Sequence, residues 1–236
     1  MRLTFKLGHA SSLYPVGFGM TSSDAACRSL YKVAEASICL MRYDVGEVLY
    51  EAYINSCDYE DPGAWHGLAI CLENAGRYEE ARRAYERALG LHLRHEDPRS
   101  LLWGGWCAMK LGNYELAYRL FRESASRDPN YAYTWHSLAV ATLKVGKRNE
   151  AEEAMSRYRA MISARPYDRR ECEGLRMLME VMHNISFEDA LMGGLKDVIT
   201  NLLNQSMKDH GAKCGLTEEP SGRLWLSRAS KSPMGR

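Results

Sequence analysis

The sequence predicts an all-α chain built as a solenoid of antiparallel helix pairs. One observation is an eight-residue pattern that returns three times, as Asn74 to Ala81, Lys110 to Ala117 and Lys144 to Ala151. Its closing alanines, Ala81, Ala117 and Ala151, stand 36 and then 34 residues apart. A second is the glycine at one fixed place in each copy, Gly76, Gly112 and Gly146. A third is the spacing of large apolar residues at intervals of three or four on both sides of each glycine, the mark of one apolar stripe per helix.

Each element has a mechanical reason. The glycines end the first helix of a pair, because a left-handed turn residue is least strained without a Cβ. The small alanines let the second helix approach the first closely. One pair of helices cannot cover both of its stripes, so neighbouring pairs must stack. Around the turns, Trp65, Leu68 and Ala69 precede the first glycine at the offsets at which Trp135, Leu138 and Ala139 precede the third. Tyr85 and Ala88 are answered by Phe121 and Ser124, then by Met155 and Tyr158. Pro129 closes the second unit.

With these residues the chain resembles the tetratricopeptide-repeat family, whose unit is a helix-turn-helix of about 34 residues. The resemblance implies a right-handed superhelical solenoid whose first helices line a concave groove.

In chain order, residues 1–23 read as a flexible N-terminal arm. Arg2, Lys6 and His9 with no acid before Asp24 give it the bias of a targeting segment, but Gly8, Pro15, Gly17 and Gly19 break any amphipathic helix there. Residues 24–61 form a degenerate repeat, with Leu30, Val33, Ala34, Tyr43, Tyr50 and Tyr53 in register and Gly46 at the place of the small alanine. Repeats follow at 62–97, 98–131 and 132–165. The middle one departs from its neighbours: Gly104 and Gly105 replace Leu68-Ala69, and its bulk moves to Trp103 and Trp106. Two glycines inside a helix cost about 1 kcal/mol each against alanine, which implies a close helix approach or a kink. The two extra residues before it fall between Gly90 and Pro98. Residues 166–206 read as C-terminal capping helices, one opened by Asp168 and one by the capping-box-like Ser186 to Asp189. Phe187, Leu191, Leu195, Val198, Ile199, Leu202 and Leu203 form the stripe that should cover the exposed end of the stack. Residues 207–236 lack periodicity and read as a disordered tail, with Leu224-Trp225-Leu226 as an apolar trio within it.

Composition narrows the function classes. Lys+Arg 31 against Asp+Glu 30 leaves a net charge of +1, too little to hold a phosphate backbone, so no nucleic-acid partner is expected. No apolar run reaches the ~18 residues of a membrane span, so no direct membrane insertion is expected. The seven cysteines are scattered and odd in number, and read as reduced, buried small hydrophobes of a cytoplasmic protein. No zinc-type cysteine pair exists. His92 and His95 have no cysteine at ligand spacing and read as solvated, so neither a metal nor a cofactor is expected. No nucleophile is tied to a base, and the acids fall on exposed second helices, so no enzyme is expected.

Function therefore falls to the groove the resemblance implies. Residues one turn from the packing stripe are the candidates: Tyr31, Glu35, His66, Ile70, Asn74, Arg99, Leu102, Trp106, Lys110, Tyr133, His136, Val140 and Lys144. Aromatics mixed with cations and amides suit a peptide or helix of a protein partner, as in an adaptor or scaffold. Family members that clamp the acidic tail of heat-shock chaperones use Lys, Asn and Arg on successive first helices, and His66, Ile70 and Trp103 do not match that pattern. The order of arm, degenerate unit with Leu30-Tyr31 and Tyr43, and tight units opened by Asp97-Pro98-Arg99 is similar to the class II chaperones of type III secretion. That likeness implies capture of hydrophobic translocators. Self-assembly is a further reading, with Tyr14, Phe18 and Met20 of the arm as anchors of a homodimer. Trp65 and Trp135 are expected in the core.

Overall fold

The computed structural model describes residues 24–162, 170–184, 190–211, 214, 216–218 and 224–226. The arm at 1–23, Asp168 and Ser186 to Asp189 lie outside these residues. Among them are ten α-helices: α1 (Asp24–Cys39), α2 (Tyr43–Ser56), α3 (Pro62–Asn74), α4 (Tyr78–His92), α5 (Pro98–Lys110), α6 (Tyr114–Arg127), α7 (Ala132–Lys144), α8 (Arg148–Ile162), α9 (Arg170–Asn184) and α10 (Ala190–Ser206). They divide into two compact units, one spanning 58–167 and one combining the chain up to Cys57 with the chain from 168 onward.

The 58–167 unit is the expected stack. α3 packs on α4, α5 on α6 and α7 on α8, while α4 meets α5 and α6 meets α7. Each pair closes with the same turn. Gly76, Gly112 and Gly146 have φ of 77°, 78° and 80°. The amide after each glycine donates to the carbonyl five residues back, Arg77 to Leu72 at 2.9 Å, Asn113 to Ala108 at 2.9 Å and Lys147 to Thr142 at 3.0 Å. This is the Schellman arrangement, which satisfies carbonyls that the helix end would otherwise orphan. Asp61 caps α3 by accepting from the amides of Gly63 and Ala64, and Asp97 caps α5 by accepting from Arg99 and Ser100. A proline occupies the first helical position in both cases, where no amide is missed.

The core of this unit runs through the small positions as expected: Ala81, Ala117 and Ala151 are all buried. Gly105 explains the middle repeat, since a Cβ there would stand 2.5 Å from Cε1 of Phe121. The phenyl ring of α6 occupies the space that a side chain takes in the neighbouring repeats. Trp65 and Trp135 correct an expectation in part, because both are half-buried rather than sealed in the core, and Trp135 packs against the core cluster from its margin. Their indole Nε1 atoms donate to the carbonyls of Tyr59, at 2.7 Å, and Pro129, at 2.8 Å. Each indole thus ties its helix to the loop six residues earlier.

In the other unit α1 packs on α2, α9 and α10. The degenerate repeat keeps the turn geometry: Met41, at the place of the glycines, has φ 57°, and the Arg42 amide donates to the Ser37 carbonyl at 2.8 Å. α9 buries Leu175, Leu178 and Val181, and α10 buries Leu195, Val198, Ile199, Leu202 and Leu203. α9 and α10 are grouped with the first helix pair. Gly174 makes the approach feasible: a Cβ there would stand 2.9 Å from Cys39 Cβ and 3.0 Å from the Ala36 carbonyl oxygen. Lys32 pairs with Glu180 at 2.5 Å, and Arg42 bonds Gln205.

Two further expectations fail in this unit. Cys27 bonds to Cys57 and Cys172 to Cys214, so four of the cysteines form disulfides and only Cys39, Cys71 and Cys107 are thiols. Partners 30 and 42 residues apart are brought together by helix packing, which spacing along the chain does not reveal. The stretch read as a tail contains a π-helical turn, Met207–Gly211, and two strands, β1 (Leu216–Glu218) and β2 (Leu224–Leu226), paired antiparallel with Leu216 opposite Leu226. Three-residue strands are too short for alternation to register in the sequence.

Candidate functional site

The first helices of the repeats carry the aromatic residues. α5 offers Trp103 and Trp106, a residue to either side of its glycine pair, and α7 offers Tyr133 and His136 one turn apart. Their rings form one connected layer. Trp106 lies against Tyr133 with centroids 6.0 Å apart and planes 23° from parallel. Tyr133 lies in turn on His136 at 6.0 Å and 18°, Trp103 meets Tyr133 at 6.0 Å, and His136 meets Tyr158 of α8 at 5.2 Å. The Trp106 indole donates to Ser137 Oγ at 3.0 Å, which fixes the ring between α5 and α7. Tyr133 is 38% exposed, so the layer reaches solvent.

Cations and amides flank the rings. Lys110 is exposed and binds both carboxylate oxygens of Glu73 at 2.8 Å, joining α5 to α3. Tyr85 donates its hydroxyl to the same carboxylate at 2.7 Å, and burial followed by that bond raises its pKa. Lys144 is exposed with its ammonium 5.6 Å from the Tyr114 ring centre. Asn74 and Arg99 are exposed, and Ile70 and Val140 are half-buried.

Nine of the thirteen residues singled out from the sequence are therefore at least partly accessible on α3, α5 and α7: Ile70, Asn74, Arg99, Trp106, Lys110, Tyr133, His136, Val140 and Lys144. His136 is half-buried and joins the ring layer. Leu102 is 1% exposed and belongs to the core cluster with Phe121 and Leu138, so it is removed from the surface set. His66 is also removed, being 9% exposed and turned into the interior. Tyr31 and Glu35 lie in the other unit, where Tyr31 packs edge-on against Tyr50 and Tyr53. Trp103 and Tyr158 were missed as members of the ring layer, although Trp103 had been marked by its glycine neighbour.

His66 belongs to a buried polar cluster that the sequence did not reveal. It comprises His66 on α3, His92 at the end of α4 and Cys107 on α5, with one donor atom from each within 4.8 Å of the others. The Cys107 thiol bonds His66 Nδ1 at 3.2 Å. His92, the last residue of α4, is 4% exposed, not solvated as expected. Neither ring nitrogen of His92 has a hydrogen-bond partner among the described residues. Burial, helped by His92 and Lys110, lowers His66 to about 3. Burial lowers His92 to about 4, with Asp97 opposing and His95 assisting. Burial pushes the Cys107 thiol up to about 12.

Helix pairs closed by one repeated turn and stacked through shared apolar stripes define a helical-repeat solenoid. Residues 42–92 and 67–132 match the sequence profile of the Tetratricopeptide repeat family. No curated protein matches the chain in sequence. Among solved structures it is similar to MamA from Desulfovibrio magneticus RS-1, with 16% identity, 79% of this chain and 98% of that chain covered, and a TM-score of 0.45. It is also similar to PcrH in complex with the chaperone binding region of PopB, with 25% identity over 49% of this chain and 93% of that one at TM-score 0.36. A third is YrrB, described as a TPR protein with an unusual peptide-binding site, at 14% identity, 76% and 88% coverage and TM-score 0.41. No helix among the described residues is long and apolar enough to cross a membrane.

Proposed function

We propose that the 58–167 unit is a non-enzymatic protein-interaction module that takes a peptide or helix of a protein partner against α5 and α7. The observation that carries this reading is the connected ring layer of Trp103, Trp106, Tyr133 and His136, which reaches solvent at Tyr133. Rings held by mutual stacking lose little side-chain entropy when a partner covers them, so their burial converts efficiently into affinity. Arg99 and Lys144, both exposed, supply positive charge on the same two helices, which suits a partner segment with apolar anchors and acidic flanks.

The test is affinity capture with the full chain, comparing wild type with a Tyr133→Ala/Lys144→Glu variant. A control variant, Arg82→Ala/Glu86→Ala, alters an exposed pair on α4. The site variant is expected to lose at least tenfold of specific capture with helicity unchanged, while the control retains it. Equal capture by all three proteins refutes the assignment.

A further inference from the structure

We propose that His66, His92 and Cys107 form a binding site for a soft monovalent metal ion, copper(I), that clasps α3, α4 and α5 together. One thiolate and two neutral imidazoles are a donor set chosen by soft or borderline metals, not by magnesium or calcium. The three donor atoms lie within 4.8 Å of one another. Metal–ligand bonds of about 2.0–2.3 Å would place the donors about 3.5–4 Å apart, so closing on an ion asks for a shift of roughly an ångström or less.

The second observation is His92 itself. A buried imidazole normally finds partners for its polar atoms, because leaving them bare is destabilising. His92 is 4% exposed and neither of its nitrogens has a partner among the described residues, so the ring brings an unused donor into the cluster. Room is made for it on α5: a Cβ on Gly104 would stand 3.2 Å from His92 Cβ, tighter than ordinary packing. The neighbouring repeats carry Leu68 and Leu138 at that place, so this glycine fits one inward-turned histidine.

Charge and coordination number favour copper(I) over zinc(II). When the ion binds, the Cys107 S–H bond breaks, its proton leaves to solvent and a thiolate–metal bond forms. With copper(I) the thiolate and ion sum to zero, whereas zinc(II) leaves one positive charge buried near Lys110, whose charge already disfavours a cationic His66. A fourth protein ligand for tetrahedral zinc is also missing among the grouped residues, because the cluster contains three. Copper(I) is satisfied by three donors, here one soft thiolate and two imidazoles.

The experiment titrates the full chain with copper(I) under anaerobic conditions against a chromophoric copper(I) chelator, with ascorbate as reductant so that the disulfides stay intact. Wild type is expected to withdraw one equivalent. Cys107→Ala, which installs the residue the third repeat carries at Ala141, and His92→Leu are each expected to weaken binding at least a hundredfold. Cys71→Ser, altering the equivalent thiol one repeat earlier, is expected to leave it unchanged. X-ray absorption of the loaded wild type is expected to show one sulfur and two nitrogen neighbours, a readout that stands even if a variant fails to fold. Binding that survives Cys107→Ala, a copper environment without sulfur, or zinc(II) held more tightly than copper(I) overturns the proposal.

Discussion

At Met41 the backbone adopts a conformation that its neighbours leave to glycine. Its φ of 57° matches the turn position of Gly76, Gly112 and Gly146, but a side chain there meets the following carbonyl and costs roughly 1–2 kcal/mol. Met41→Gly is expected to stabilise the chain by about 0.5–1 kcal/mol, after allowing for the greater freedom of glycine in the unfolded state, as read by urea unfolding. No gain in midpoint would mean that the Met41 side chain, 56% exposed, contributes packing of its own. Gly105 and Gly174 predict the opposite sign. Gly105→Ala forces the Phe121 ring to move, and Gly174→Ala meets the Ala36 carbonyl oxygen, a backbone atom that cannot turn aside. Each is expected to destabilise by about 1–3 kcal/mol, and thermal melts at wild-type values would contradict the packing described.

The two buried histidines add a pH dependence at the same scale. Folded His66 and His92 take up protons only near pH 3 and pH 4, whereas in the unfolded chain both do so near 6.5. Below 6.5 the unfolded state therefore binds more protons, and stability present above that pH is lost as the pH falls toward 4. The metal-free chain should lose on the order of 1 kcal/mol per pH unit for each histidine in that window. His92→Leu should flatten the slope of melting temperature between pH 7.5 and 5. An unchanged slope would show that other groups dominate.

At the scale of elements, the helix starts differ in how they are secured. Asp61 and Asp97 each accept two amide hydrogens, so Asp97→Ala is expected to cost about 1 kcal/mol, with Asn restoring most of it. α7 begins at Ala132 after Tyr131, whose side chain makes no capping bond, and Trp135 holds its entry loop through the Pro129 carbonyl instead. The turns were legible because each depends on one residue type at one place. The pairing of α9 with α1 was not, because it depends on Gly174 facing Cys39 across 135 residues, and a lone glycine in a helix has no signature of its own.

At the scale of the whole molecule, the covalent cross-links fall in one unit and the tryptophans mostly in the other. Both disulfides join residues of the unit containing α1, α2, α9 and α10, while Trp65, Trp103, Trp106 and Trp135 lie in the 58–167 unit. Closing loops of 30 and 42 residues is worth about 4 kcal/mol each in the chain-entropy view, with less expected in practice. Reduction should therefore lower the melting midpoint seen by circular dichroism more than the midpoint seen by tryptophan fluorescence. Equal shifts would show that the two units unfold as one.

The sequence by itself determined the repeat. Period, turn glycines, small alanines and stripe spacing act within about 36 residues of one another, and local backbone geometry and nearest-neighbour burial are sufficient to read them. Most of the accessible residues on α5 and α7 followed from the same register. Tertiary structure alone decided which cysteines bond, where the C-terminal helices pack, and that His92 turns inward to meet His66 and Cys107. Those outcomes depend on side chains from separate elements meeting in three dimensions, and spacing along one chain carries no record of that distance.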